Sequence, residues 1–166
     1  MFQLKPLSHD AIPGALAKAE RYRLLNEPLE ARSICLDVLQ IDPANQQALI
    51  MLFLSLSDRL GRDHRVFSEA RELLPRLTDA YDRAYYAGIL WERRAKARLE
   101  DGGIGAHHSV YDFLARAMQL FEEAEKLRHP HNDDAILRWN TCARFLMQHP
   151  EIAPPAHDEI TPVMSE

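Results

Sequence analysis

The apolar positions of the chain recur at the three-and-four spacing of helices, in stretches separated by short segments holding Pro, Asn, Asp or Gly. Ala15, Leu16, Ala19, Tyr22 and Leu25 form the first stripe. Asp10 is placed to cap it, and Pro13 falls in the first turn, where a missing backbone donor costs nothing. Asn26-Glu27-Pro28 closes that helix, because the residue before a proline avoids the helical region. The second stripe holds Leu29, Ala31, Ile34, Cys35, Val38 and Leu39 and stops at Asp42-Pro43, with Asn45 placed to cap the next. The third, Gln46 to about Leu60, is apolar nearly all round, so it needs neighbours on several sides and belongs at the centre of the core.

A fourth stripe, Val66, Phe67, Ala70, Leu73, Leu74 and Leu77, contains Pro75, which should kink or end its helix. Thr78-Asp79 can cap a fifth helix that runs through Ala84, Ala87, Gly88, Trp91 and Ala95 to about Leu99. Residues 100–108, with Gly102, Gly103 and Gly105, read as a loop. Ser109 and Asp112 resemble a capping box for a sixth helix that buries Val110, Phe113, Leu114, Ala117, Leu120, Phe121 and Ala124. Asn132 is placed to cap a seventh, with Ile136, Trp139, Ala143 and Leu146 inside. The expected organisation is a lead-in over 1–9, a helical domain over 10–148, and a Pro-rich acidic tail over 149–166 without a fixed conformation when free.

Equivalent small or apolar positions in the first helix of each pair align as Ala19, Phe53 and Gly88, at intervals of 34 and 35 residues. A period of that size, built of two helices and short turns, is the signature of a solenoid whose units cannot bury their faces alone. The chain here resembles the tetratricopeptide repeat family. Its pattern of alanine, an aromatic or apolar residue, alanine and then proline is met by Ala117, Phe121 and Ala124, with Pro130 one residue late. Tyr22, Ala31, Cys35 and Val38 followed by Pro43 meet it in the first unit, and Asn26 stands where the family often has glycine. The middle unit departs, with Ala70 and Leu74 displaced by about five residues and Pro75 inside its second helix. The resemblance implies an all-α fold, a short right-handed α-α superhelix of about seven helices in three pairs plus a closing helix.

It also implies a concave side, formed by the first helix of each pair, that binds a peptide or helix of a partner protein. Carried over position by position, the groove would present Leu16, Glu20 and Arg23, then Gln47, Ile50, Leu54 and Asp58. Asp82, Tyr85, Ile89 and Arg93 follow, and the seventh helix adds Leu137, Thr141 and Arg144. Leu54 and Ile89 are as readily explained as core. Polar selectivity would fall to Asp58, Tyr85, Arg93 and Arg144. The Lys/Asn set that the family uses to clamp a terminal carboxylate is missing, so that specificity is not expected. The reading is a non-enzymatic scaffold or adaptor. The alternative within the same resemblance is a chaperone for one client, of the kind that serves bacterial secretion systems.

Charge and composition narrow the classes further. With 20 basic and 25 acidic residues the formal charge is −5, which gives no general attraction to nucleic acid or anionic lipid. Arg93, Arg94, Lys96 and Arg98 form a local basic run that could meet phosphate or an acidic peptide, though cations at a helix end also serve the helix itself. No run approaches the ~18 apolar residues of a membrane span, and the longest is broken by Ser55 and Ser57. No secretory signal is visible, and a cytoplasmic location is expected. Cys35 and Cys142 read as buried reduced thiols. Eight histidines raise a metal or catalytic alternative through His107, His108, His129 and His131, but none has ligand spacing. Walker, dinucleotide, nucleophile-elbow and HExxH motifs are absent, so no cofactor is expected. The apolar helices would allow a homodimer if they leave an exposed edge.

Overall fold

The computed structural model describes residues 2–61, 64–152 and 154, and among these the regular structure is entirely helical. Seven α-helices follow one another: α1 (Ile12–Leu24), α2 (Pro28–Ile41), α3 (Gln46–Ser57), α4 (His64–Leu73), α5 (Ala80–Asp101), α6 (Ala106–Leu127) and α7 (Asp134–Gln148). Helices adjacent in sequence pack against each other, and α1 also touches α3. No helix among the described residues is long and apolar enough to cross a membrane.

Local chemistry explains most of the boundaries. Asn26 sits at φ +60, the left-handed geometry that lets the chain reverse between α1 and α2. Asn45 caps α3 by accepting from the Ala48 N–H at 2.9 Å, and Asp79 caps α5 by accepting from Tyr81 N–H at 2.7 Å. Each such cap contributes about 1 kcal/mol. Pro75 does end α4: the α-helix stops at Leu73 and a single 3-10 turn, Leu74–Arg76, carries the chain to Leu77 in the core. Asn132 accepts from the Asp134 N–H at 3.1 Å at the start of α7, and its side-chain oxygen also accepts from the Tyr81 hydroxyl at 3.3 Å.

Three expectations are corrected. Asp10 does not cap α1: it lies in a 3-10 turn, His9–Ala11, that runs straight into the helix without a side-chain cap. The loop expected over 100–108 is much shorter, since α5 continues through Asp101 and α6 resumes at Ala106. Gly105, at φ +74, occupies the position before α6, and Ser109 lies within the helix with its hydroxyl donating to the Gly105 carbonyl at 3.2 Å. The tail, finally, is not free from its first residue. Ile152 is 4% exposed and belongs to the main apolar cluster, so the chain returns to the core four residues beyond the end of α7, while the tail from 155 onward lies outside the described residues.

As its composition requires, α3 is buried on most sides, with Leu49, Met51, Leu52, Phe53 and Leu56 in the core. Its two serines are buried too, and stay satisfied by donating back along the helix, Ser55 to Met51 O at 2.8 Å and Ser57 to Leu54 O at 3.0 Å. The most extensive helix packing is between α5 and α6. At Gly88 a Cβ would stand 2.5 Å from Cε1 of Phe121, so the ring occupies the space a side chain would need. Phe121 is fully buried there and tilts against Tyr85 at 6.0 Å between centroids.

Candidate functional site

Three of the residues expected at a partner-binding face meet in space. Arg23 lies near the end of α1, Asp58 directly follows α3, and Arg93 lies in the second half of α5. The Arg23 guanidinium donates to Asp58 from Nε at 2.7 Å and from a terminal nitrogen at 3.3 Å. Arg93 shares Oδ1, the oxygen that Arg23 meets at the longer distance, and reaches it at 2.8 Å. It also donates to the Leu54 carbonyl at 3.3 Å and to the Ser57 hydroxyl, so the end of α3 is held by Arg93 at three points. These side chains are neither exposed nor sealed: Arg93 is 20% and Asp58 24% accessible. Burial pulls the Arg93 pKa down from its usual value; Asp58 works against that, and Arg23 and then Arg138 add to it.

Arg138 belongs to a second centre that the sequence did not reveal. Glu92, one residue before Arg93, is 1% exposed, a carboxylate inside the helical array. Lys96, one turn on, donates to it at 2.6 Å, and Arg138 of α7 lies 3.4 Å from both oxygens. Burial alone would weaken Arg138 as a cation, but Glu92 and the Tyr85 hydroxyl outweigh it and the pKa is raised. A buried carboxylate persists as an ion only with partners of this kind. The i,i+4 spacing of Glu92 and Lys96 was readable, whereas Arg138 lies 46 residues away.

Tyr85, hydrogen-bonded to Arg138, joins the Glu92 centre to an aromatic row. It stacks on Tyr81 at 5.5 Å and meets Tyr86 edge-on at 5.2 Å, while Tyr86 in turn meets Phe53 of α3 at 5.5 Å. Burial pushes the Tyr81 and Tyr86 hydroxyls up to about 12. Asp82, half-buried beside them, has its pKa raised by burial and by Asp79, with His129 opposing. Beside Glu92 and Lys96 a cavity of about 60 Å³ opens between α5, α6 and α7, floored by Ala95, Leu114, Cys142 and Phe145. In that setting burial pushes the Cys142 thiol up to about 12, and Cys35 is raised to about 12 for the same reason.

The remaining expected positions are scattered. Glu20, Gln47, Thr141 and Arg144 are exposed on α1, α3 and α7, and Leu137 is 62% exposed. Leu54 and Ile50 are partly buried against the main cluster. Leu16 and Ile89 are core residues whose side chains no partner can reach. For these two, the apolar spacing marks packing. Among the described residues no group of three or more His, Cys, Asp or Glu side chains comes together as a metal site would require. His107 and His108 are exposed at the start of α6, and His129 lies 3.1 Å from Asp79. Comparisons with protein families, with curated proteins and with solved structures found no match.

Proposed function

We propose that this chain is a non-enzymatic protein-interaction module, a short helical-repeat solenoid of the tetratricopeptide kind, that holds a segment of a partner protein along the face made by α1, α3, α5 and α7. One observation carries the reading. Arg23, Asp58 and Arg93 are spaced 35 and 35 residues apart and meet in one ion-paired ladder. Equal sequence intervals that place side chains next to one another are what stacked repeats produce. The ladder and the Glu92–Arg138 pair put polar groups with directional preference beside half-buried Leu54 and Tyr85, a mixture suited to recognising a peptide.

A photo-crosslinking residue placed at Gln47 or Arg144, both exposed, tests it in cells. The expected result is a discrete partner adduct from these positions and none from Ser33 or Gln40, which are exposed on α2. Adducts from α2 alone would overturn the assignment of the face.

A further inference from the structure

We infer that the segment held by this face is acidic, and that its side-chain carboxylates complete a cation cluster the chain leaves unbalanced; the inference rests on the interaction-module reading. Four cations, Arg23, Arg93, Lys96 and Arg138, share two carboxylates, Asp58 and Glu92. All four carboxylate oxygens are already engaged. Arg23 meets both Asp58 oxygens and Arg93 shares one of them, while Arg138 lies against both Glu92 oxygens and Lys96 shares one. The chain as a whole carries −5, so a local excess of two positive charges among the described residues runs against its average. The charges that bear on Arg93 come from both centres, which makes the cluster electrostatically continuous.

Geometry supports a ligand over a purely internal arrangement. A guanidinium has five donors, and Arg23 places two of its five on Asp58. The cations also remain reachable: Lys96 is 57% and Arg138 36% accessible, while the carboxylate they share is sealed. Water-facing cations over a buried anion present their charge outward. Arg is suited to bidentate capture of a carboxylate, and a partly desolvated cluster strengthens that pairing. Next to Lys96 and Thr141 the cavity of about 60 Å³ would take a small aliphatic side chain beside the acidic one. The chemistry points to a segment in which Asp or Glu alternates with small apolar residues.

The test uses the full chain and a fluorescein-labelled ten-residue peptide alternating Glu and Ala, followed by fluorescence anisotropy. Matched peptides with Gln or Lys in place of Glu, and a uridine decanucleotide, serve as competitors for the assignment. The Glu peptide should bind, weaken as salt is raised, and outbind the Gln peptide at least tenfold. Lys96→Gln and Arg23→Gln should each weaken it about threefold or more. Asp58→Asn should tighten it about threefold, because it removes the negative charge that Arg23 and Arg93 share, and a damaged fold cannot mimic a gain. Equal binding of the Gln peptide, preference for the RNA, or an Asp58→Asn variant no tighter than the parent would each overturn the inference. If the crosslinks at Gln47 and Arg144 form while the Glu peptide fails to bind, the acidic class falls and the interaction module stands. If the crosslinks come from α2 alone, the module falls by itself.

Discussion

Asp58 and Glu92 are both carboxylates held between cations, and they differ in what would happen if a partner left. Asp58 follows the end of α3, keeps about a quarter of its side chain in water, and has two arginines from two different helices. Glu92 is in the body of α5, has almost no access to water, and relies on one lysine from its own helix and one arginine from α7. An anion that water can reach tolerates loss of a partner, whereas a sealed one must keep its partner or its charge becomes costly. The Glu92 centre therefore bears mostly on how α7 is docked. The Asp58 centre can change its pairing without disturbing the fold, which suits it to exchange one carboxylate for another.

The sharpest way to break this contrast is Arg138→Ala. It leaves Glu92 sealed with only Lys96, and should cost about 3 kcal/mol, measured by urea unfolding. A loss below about 1 kcal/mol would mean that Glu92 is not held as a buried ion. Gly88→Ala acts next, one turn before Glu92. It pushes a methyl into the Phe121 ring and should cost about 2 kcal/mol by the same assay, with α5 and α6 forced apart. Arg23→Ala should cost no more than about 1 kcal/mol, since Asp58 retains Arg93 and water.

A labelling experiment reads the same contrast at a single side chain. With its pKa at about 12, Cys142 has a thiolate fraction at pH 8 on the order of one part in ten thousand. Cys142 lines the cavity beside Glu92, so Arg138→Ala should speed its alkylation several-fold while leaving Cys35 unchanged. Mass spectrometry after iodoacetamide treatment would separate the two sites.

The smallest expected effect is at Asp79, an exposed carboxylate whose pKa is lowered first by the hydrogen bond to His129 and then by the Tyr81 N–H. Because its folded pKa lies below the unfolded one, its contribution is present above the unfolded value and is lost as pH falls through the folded one. His129→Gln should raise the Asp79 pKa in an NMR titration. No rise would show that the cap alone sets it.

What could be read from the chain in advance was whatever depended on neighbours in sequence. The caps by Asn45 and Asp79, the reversal at Asn26 and the stop at Pro75 each rest on one residue and the next few, and each is found where the sequence puts it. Arg23, Asp58 and Arg93 were readable as candidates only through the groove positions that the resemblance implied, and their mutual pairing was not. Glu92 was hidden because it stands beside Arg93, Arg94 and Lys96, and an acid in a charged run reads as solvated. Its burial is decided by α7, whose arrival no local pattern encodes. Ile152 was hidden in the same way, an isolated apolar residue among prolines and acids whose packing depends on the whole assembled core. At Ser109 a local rule gave the wrong start, since Gly105 offered the backbone an earlier one.

The length of α5 sets a ruler. Its 22 residues rise 1.5 Å each, which makes a rod of about 33 Å. An extended chain covers that distance in about ten residues. A partner lying along this rod would thus be read over roughly ten residues, and a shorter motif would leave part of the rod bare.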